Sequence, residues 1–234
     1  MLEDKPTNLP DARPDGSPLK PVTELLLERR ATNSFTGEEV PEEYLEAILR
    51  LAAQAPSGYN FQPWRFVVVR DPENRKRLQS VAFGQPKVAE APVVVIAVGM
   101  KEEWKETAEE VLREGARRGA GSPDAVEKYR QQGVGFVSSM DPAVWVNRHV
   151  MIAVTTMMIA AEAYGFDTAP MEGFDAAGVR AEFGIPEEGE VVALLAIGRG
   201  KQPDKPYTGR FPLPRIVFAE AFGEAWGGRS SGGD

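Results

Sequence analysis

The chain has 234 residues, 42% of them hydrophobic, enough to bury one large core. Its formal net charge of −8 argues against nucleic acid or an anionic membrane as general partners, and obliges any bound phosphate to find a local basic cluster. There is no cysteine and a single histidine, His149, so disulfides, thiolate metal sites and cysteine nucleophiles are excluded, a Ser-His-Asp triad or histidine metal site is disfavoured, and redox chemistry requires a borrowed cofactor.

In chain order, residues 1–20 are poor in apolar side chains and punctuated by proline, so they are expected to form a mobile, disordered arm; they carry no export signal. A first helix is predicted over 21–30, with Val22, Leu25 and Leu26 on one face and Arg29 continuing that stripe at the i+7 position. A second begins at Pro41 with Glu42 and Glu43 in its first turn, carries the stripe Leu45, Ile48, Leu49, Ala52 and Ala55, and ends near Pro56. Residues 66–69 read as a short strand, followed by Asp71 as an N-cap and Pro72 as a first helical residue.

The continuous apolar run at 93–98 reads as a strand buried on both faces. Residues 101–132 are charged and helical around a Gly/Ser/Pro break at 119–123, and 101–140 is expected to be a mobile pocket cover. A long helix over 143–164 is apolar or Thr/Ala all round from 150 to 161, which calls for burial on every side and points to a dimer core. That charge-free run of 12 residues is too short to span a bilayer. Asp175 is expected to cap a helix that stops at Gly184, and 191–197 is another buried strand. Residues 201–215, rich in proline and basic side chains, read as an arm ending in an apolar piece at 216–218, with 219–234 as a flexible tail. The order of helices and strands gives an α+β class without clean β-α-β alternation.

Three segments carry candidate chemistry. Arg29 and Arg30 stand at a helix-to-loop junction, where a guanidinium on an apolar stripe either snorkels to solvent or pairs with a buried anion. Ser57, Asn60 and Gln62 lie in a Pro/Gly-shaped loop before a strand and offer donors and acceptors of both kinds, suited to a polyfunctional heterocycle or to local loop bonding. Residues 168–175 read as a turn with exposed backbone N–H groups ahead of the Asp175 cap.

Taken together, R-R-A-T-N-S-F at 29–35, A-P-S-G-Y-N-F-Q-P-W-R-F at 55–66 and P-M-E-G-F-D at 170–175 resemble the three signature segments of the nitroreductase family, over about residues 21–218. The resemblance implies an α/β/α sandwich around a central mixed β-sheet, and an obligate, domain-swapped homodimer in which the arm at 201–218 crosses onto the partner. It implies FMN in the interface, with NADH or NADPH as a transient electron donor. Arg29 and Arg30 would approach the FMN phosphate and ribityl chain, near Ala31 and Asn33, with Arg210 and Thr208 reaching the phosphate from the arm. Pro56, Ser57, Asn60 and Gln62 would contact the flavin from the other subunit, and Gln85 and Lys87 would reach the ribityl chain and the pyrimidine edge of the ring. Pro170, Met171, Glu172 and Gly173 would line the flavin, with a backbone N–H of Glu172 or Gly173 on its N5 nitrogen.

Ala31, Asn33 and Thr208 depart from the family pattern, which often has serine, a basic residue and lysine there; Lys205 is a candidate substitute. No catalytic side chain and no metal is implied. The expected activity is two-electron reduction of small electron-poor substrates such as nitroaromatics or quinones by a ping-pong cycle in the cytoplasm, with Trp104, Tyr129 and Phe136 available to stack on an aromatic substrate. Two alternatives keep the same fold: an oxygen-dependent flavin-fragmenting enzyme and a non-catalytic flavin-storing dimer.

Overall fold

Proline and aspartate open most of the helices. Pro21 precedes α1 (Val22–Glu28) and Pro41 precedes α2 (Glu42–Ala52), each supplying the fixed φ that a helix start accepts. After strand β1 (Trp64–Val69), the Asp71 side chain accepts from the Asn74 N–H at 2.9 Å and starts α3 (Pro72–Val81). The short α4 (Pro86–Glu90) leads into strand β2 (Val93–Met100), and α5 (Trp104–Arg117) and α6 (Val126–Ser138) form a helical hairpin. Asp141 caps α7 (Pro142–Ala163), which runs into strand β3 (Asp167–Met171). Asp175 caps α8 (Ala176–Phe183), which ends on left-handed Gly184 (φ 63°) before strand β4 (Gly189–Gly198); α9 (Leu213–Ile216) is a single turn on the C-terminal arm. This computed structural model describes residues 5–201 and 206–226.

The four strands form one sheet in the order β1-β2-β4-β3. β2 and β4 lie inside and are buried along their length except at Glu190, so their side chains must go to two dry faces. Val93, Val95 and Ala97 pack with α2 and α7, whereas Val94, Ile96, Val98 and Met100 pack with α3, α4 and α8. A bulge opposite Ala97 and Val98 skips one residue of β4, and as a result Val192 and Ala193, neighbours in sequence, both face the α2/α7 layer. The α+β class and the helix-sheet-helix layering stand. The sheet, expected to be mixed, is antiparallel in every strand pair, and its parallel pairing is confined to the single bridge between Ala31 and Thr168.

Three other expectations meet a different arrangement. Residues 5–20 lie against the body: the Tyr164 hydroxyl donates to the Pro10 carbonyl, Arg13 Nε donates to Ala163 O at 3.3 Å, and Leu9 packs on the core. The α7 segment expected to be buried all round leaves a stripe open in the single chain, with Val144 46% and Ile152 40% exposed and Thr155 beside them. The 22-residue α7 is apolar and long enough to cross a bilayer by composition, but Val146, Val150, Ala153, Val154 and Met157 seat it on the sheet. The segment at 216–218, read as the apolar end of the arm, ends α9 and within the chain forms a one-residue bridge from Phe218 to Ala225. Lys205 and residues 1–4, 202–204 and 227–234 fall outside the described residues.

β2 and α7 approach each other at Gly99, where an added Cβ would lie 2.7 Å from the Val146 side chain. Gly99→Ala is expected to destabilise the fold by about 1–3 kcal/mol through overpacking, read as a lower thermal midpoint; an unchanged midpoint would show slack between strand and helix.

Candidate functional site

Three of the five predicted segments converge on edge strand β3, and a fourth, on the arm, meets Arg30 at the end of α1. The Thr32 N–H donates to Thr168 O at 3.0 Å beside the Ala31–Thr168 bridge, which lays residues 31–32 along the open edge. Phe35 N–H donates to the Glu90 carboxylate at 3.0 Å, tying the same segment to α4, while Thr36 N–H and Ser34 O bond to the chain just beyond β4. Gln85, at the start of α4, donates from Nε2 to Gly173 O at 2.7 Å and to Ala82 O, so the 85–87 turn and the 170–173 turn form one wall. Lys87 sits half-buried in the first turn of α4. Pro170 and Met171 belong to β3 itself, and Glu172 and Gly173 emerge from it exposed. Among the described residues the N–H groups of Glu172 and Gly173 have no hydrogen-bond acceptor.

The arm meets the end of α1 through Tyr207, whose ring centroid lies 4.5 Å from the Arg30 guanidinium carbon and 5.6 Å from that of Arg210. Arg30 Nη1 donates to the carbonyls of Leu27 and Arg29, and Arg210 Nη1 to that of Gly209. Arg29 caps α1, and its Nη1 is buried with no hydrogen-bond partner. Among the described residues none of these three arginines pairs with a carboxylate at ion-pair distance, in a chain whose net charge is negative. A buried, unsatisfied guanidinium nitrogen is costly unless an anion meets it, so the cluster fits a phosphate. Asn33 and Thr208 are exposed and uncharged at its rim.

The fifth segment is elsewhere. Ser57, Asn60 and Gln62 precede β1, at the opposite edge of the sheet from β3. Three inter-strand steps put about 14 Å between those edges. The loop is wound tightly: Tyr59, Asn60 and Gln62 all have positive φ, and Ser57 Oγ accepts the Gln62 N–H at 3.0 Å. Pro56 is exposed at its start. His149 Nε2 accepts the Gly58 N–H at 3.0 Å, and His149 Nδ1 lies 2.8 Å from Trp145 O. A carbonyl only accepts, so Nδ1 carries the proton and one neutral tautomer satisfies both contacts.

The rings of Tyr59, Phe61, Trp104, Trp145 and His149 follow one another at centroid spacings of 5.3, 5.1, 5.0 and 4.6 Å, clamping the loop between α5 and α7. Gly133 of α6 lets that helix approach Tyr59 and Phe61, since a Cβ there would lie 3.0 Å from the Tyr59 ring. Trp104, expected to be free to stack on a substrate, is a buried member of this ladder, whereas Tyr129 and Phe136 are exposed. His149 and Tyr207 are residues at the candidate site that sequence patterns miss, because each contacts a partner distant in the chain. A third such residue, the exposed Phe83, stands with its ring 4.0 Å from where a Gly173 Cβ would be.

A cavity of about 860 Å³ lies between residues 5–12 and α2, lined by Lys5, Tyr44 and Arg50 among others; no predicted site residue borders it. Closer to the arginines, Lys20 bridges Glu28 at 2.7 Å and Glu162 at 3.6 Å, linking the ends of α1 and α7. Burial, then the neighbouring Asp167, pushes the Glu162 carboxyl above the usual range against the pull of Lys20 and Arg29.

Fold and candidate site define an α+β protein whose predicted binding residues are split between the two edges of one antiparallel sheet. The chain belongs to the nitroreductase family, whose family model matches residues 26–199. It is 35% identical over 195 residues to an NADH dehydrogenase of Thermus thermophilus, covering 82% of this chain and 92% of that protein. It is 27% identical over 210 residues to an oxygen-insensitive NAD(P)H nitroreductase of Salmonella typhimurium, covering 83% of this chain and 95% of that protein. Among solved structures, a nitroreductase from Exiguobacterium sibiricum in complex with FMN superposes with a TM-score of 0.78 at 23% identity, covering 86% of this chain and 98% of that one.

Because Glu162 has a raised folded pKa, its charged form is disfavoured in the fold, and its contribution to stability falls as pH rises through the ordinary glutamate range toward the folded value. Glu162→Gln is expected to become more stable relative to wild type as pH rises from about 4.5 to 7. Urea midpoints of the two proteins across that range check this, and a constant difference would place Glu162 in water.

Proposed function

We propose that the protein is an FMN-dependent oxidoreductase that takes electrons from NADH or NADPH and reduces small electron-poor substrates, nitroaromatics or quinones among them, as a homodimer. The carrying observation is the pair of features around β3: three arginines without carboxylate partners among the described residues, one with a buried unsatisfied nitrogen, in a segment that leads onto the β3 edge, and a turn at the end of β3 with free backbone N–H groups. A phosphate needs the first and the edge of a planar heterocycle needs the second. Arg29, Arg30 and Arg210 hold the phosphate end, Gln85 and Lys87 the chain and ring edge, and the N–H of Glu172 or Gly173 meets the ring. FMN, when bound, supplies the two-electron carrier that no side chain of this cysteine-free protein offers. The cationic Lys87 stabilises negative charge as it develops on the ring, as an oxyanion hole does.

The split site supports the dimer. Ser57, Asn60 and Gln62 stand across the sheet from the arginines, and a second copy brings them to the cluster. The surface for that copy is the open stripe of α7 together with α1, where Val22, Leu26 and Leu27 are 60%, 62% and 74% exposed. Thr155 and Thr156 return their hydroxyls to the carbonyls of Met151 and Ile152, leaving methyl groups outward. Phe211, Leu213 and Ile216 on the arm add apolar surface for the partner. Tyr129 and Phe136 flank Gly133 on α6, at helical spacing beside the Tyr59 loop, and offer exposed rings to a planar substrate. Reduced nicotinamide is a cytoplasmic donor, and the reading places the protein there.

Arg210→Ala is expected to lose bound FMN on gel filtration while eluting at the dimer volume; stoichiometric FMN in the variant would remove the arm from the phosphate site. Donor and oxidant share one pocket in turn on this reading, so double-reciprocal plots at several fixed oxidant concentrations are expected to be parallel. An intersecting set would require both substrates on the enzyme at once.

A further inference from the structure

We propose that Tyr207 is a positioning residue of the anion site, holding Arg30 and Arg210 together as a pair of guanidiniums that remain free to bind phosphate. The inference rests on the reading of that cluster as the phosphate end of the cofactor site.

Two guanidiniums brought near each other repel, and about half of the described arginines are held by carboxylates, among them Arg50 by Glu46, Arg77 by Glu182 and Arg199 by Glu38. A carboxylate at the β3 cluster would hold the cations but also cancel the charge that phosphate needs. An aromatic face does the first without the second, because its quadrupole attracts a cation while carrying no net charge. Tyr207 contacts both guanidiniums, at 4.5 Å for Arg30 and 5.6 Å for Arg210, so the two carbons are no farther apart than about 10 Å, those distances laid end to end. Each arginine has five N–H donors, and the contacts in hand use only Nη1 on main-chain carbonyls, which leaves Nε and Nη2 of both for an anion.

A second observation points the same way. Among the described residues no backbone hydrogen bond ties 206–211 to the rest of the chain, so the ring contact with Arg30 is what registers the arm against the end of α1. Positions 31, 33 and 208 are uncharged, and the site therefore depends on the placement of Arg29, Arg30 and Arg210. Tyr207 is 57% exposed, so substitutions there leave the core intact.

The test is equilibrium binding of FMN and of riboflavin, which lacks the phosphate, to flavin-free protein, followed by flavin fluorescence for wild type, Tyr207→Phe and Tyr207→Ala. Tyr207→Ala is expected to weaken FMN about tenfold with riboflavin unchanged, and Tyr207→Phe to stay within about twofold of wild type, since the face and not the hydroxyl does the holding. Unchanged FMN affinity in Tyr207→Ala overturns the proposal. So does an equal loss for FMN and riboflavin, which would make the residue a general support of the arm, or a loss in Tyr207→Phe as large as in Tyr207→Ala. A wild-type protein that binds FMN no more tightly than riboflavin would instead bring down the phosphate reading itself.

Discussion

The pairing of β2 with β4 is the constraint from which the rest of the molecule follows. These strands have almost no solvent on either face, so their main-chain groups must satisfy one another, and their side chains must be covered twice. α2 and α7 cover one face; α3, α4 and α8 cover the other. With both faces taken, the places left for a ligand are the edges. β1 and β3 occupy them, and each carries one part of the candidate site. The functional groups are thus distributed by the demands of the core.

Charge follows a similar division. The hairpin of α5 and α6 is laced with near-neighbour pairs, Arg113 with Glu109, Arg117 with Glu114 and Arg130 with Glu127. The arginines hold the Glu114 and Glu127 carboxyls down to about 2. Such exposed pairs contribute little to stability, but they leave the hairpin nearly neutral in its local field. At β3 the opposite arrangement holds, with cations left to a ring and to main-chain carbonyls. In a protein of net charge −8, these are cations that no carboxylate holds at ion-pair distance among the described residues.

Much of this was legible beforehand, for physical reasons that also explain the exceptions. Runs such as 93–98 and 191–197 can only be dry strands, and Asp71-Pro72 or Asp175 with Gly184 can hardly be other than helix ends. Strand sense was not legible, because a strand buried on both faces reads the same in parallel and antiparallel sheets, and the mixed sheet that the family resemblance implied proved antiparallel. β3 was hidden because Pro170 and the following glycine read as a turn; an edge strand tolerates a residue without an N–H, and the turn begins only at Glu172. Arg29 stood out as a charge on an apolar stripe; its Nη1 is buried without a partner, although Val22 and Leu26 of that stripe are exposed. Tyr207 and His149 gave no such signal, since a ring near two distant arginines, or an imidazole under a loop 91 residues away, leaves no local pattern.

Residues 5–20 lie before the family match begins, yet they finish the principal helix. Arg13 donates to the Ala163 carbonyl and lays positive charge against the C-terminal end of α7, while Pro10 receives the Tyr164 hydroxyl, across separations of 150 and 154 residues. Contacts that span so much chain carry a large loop-closure entropy and form slowly. Pro10 and Arg13 therefore have nowhere to dock until Ala163 and Tyr164 have been made and α7 has taken its place, so residues 5–20 settle late, as a clasp over a helix end that is already formed.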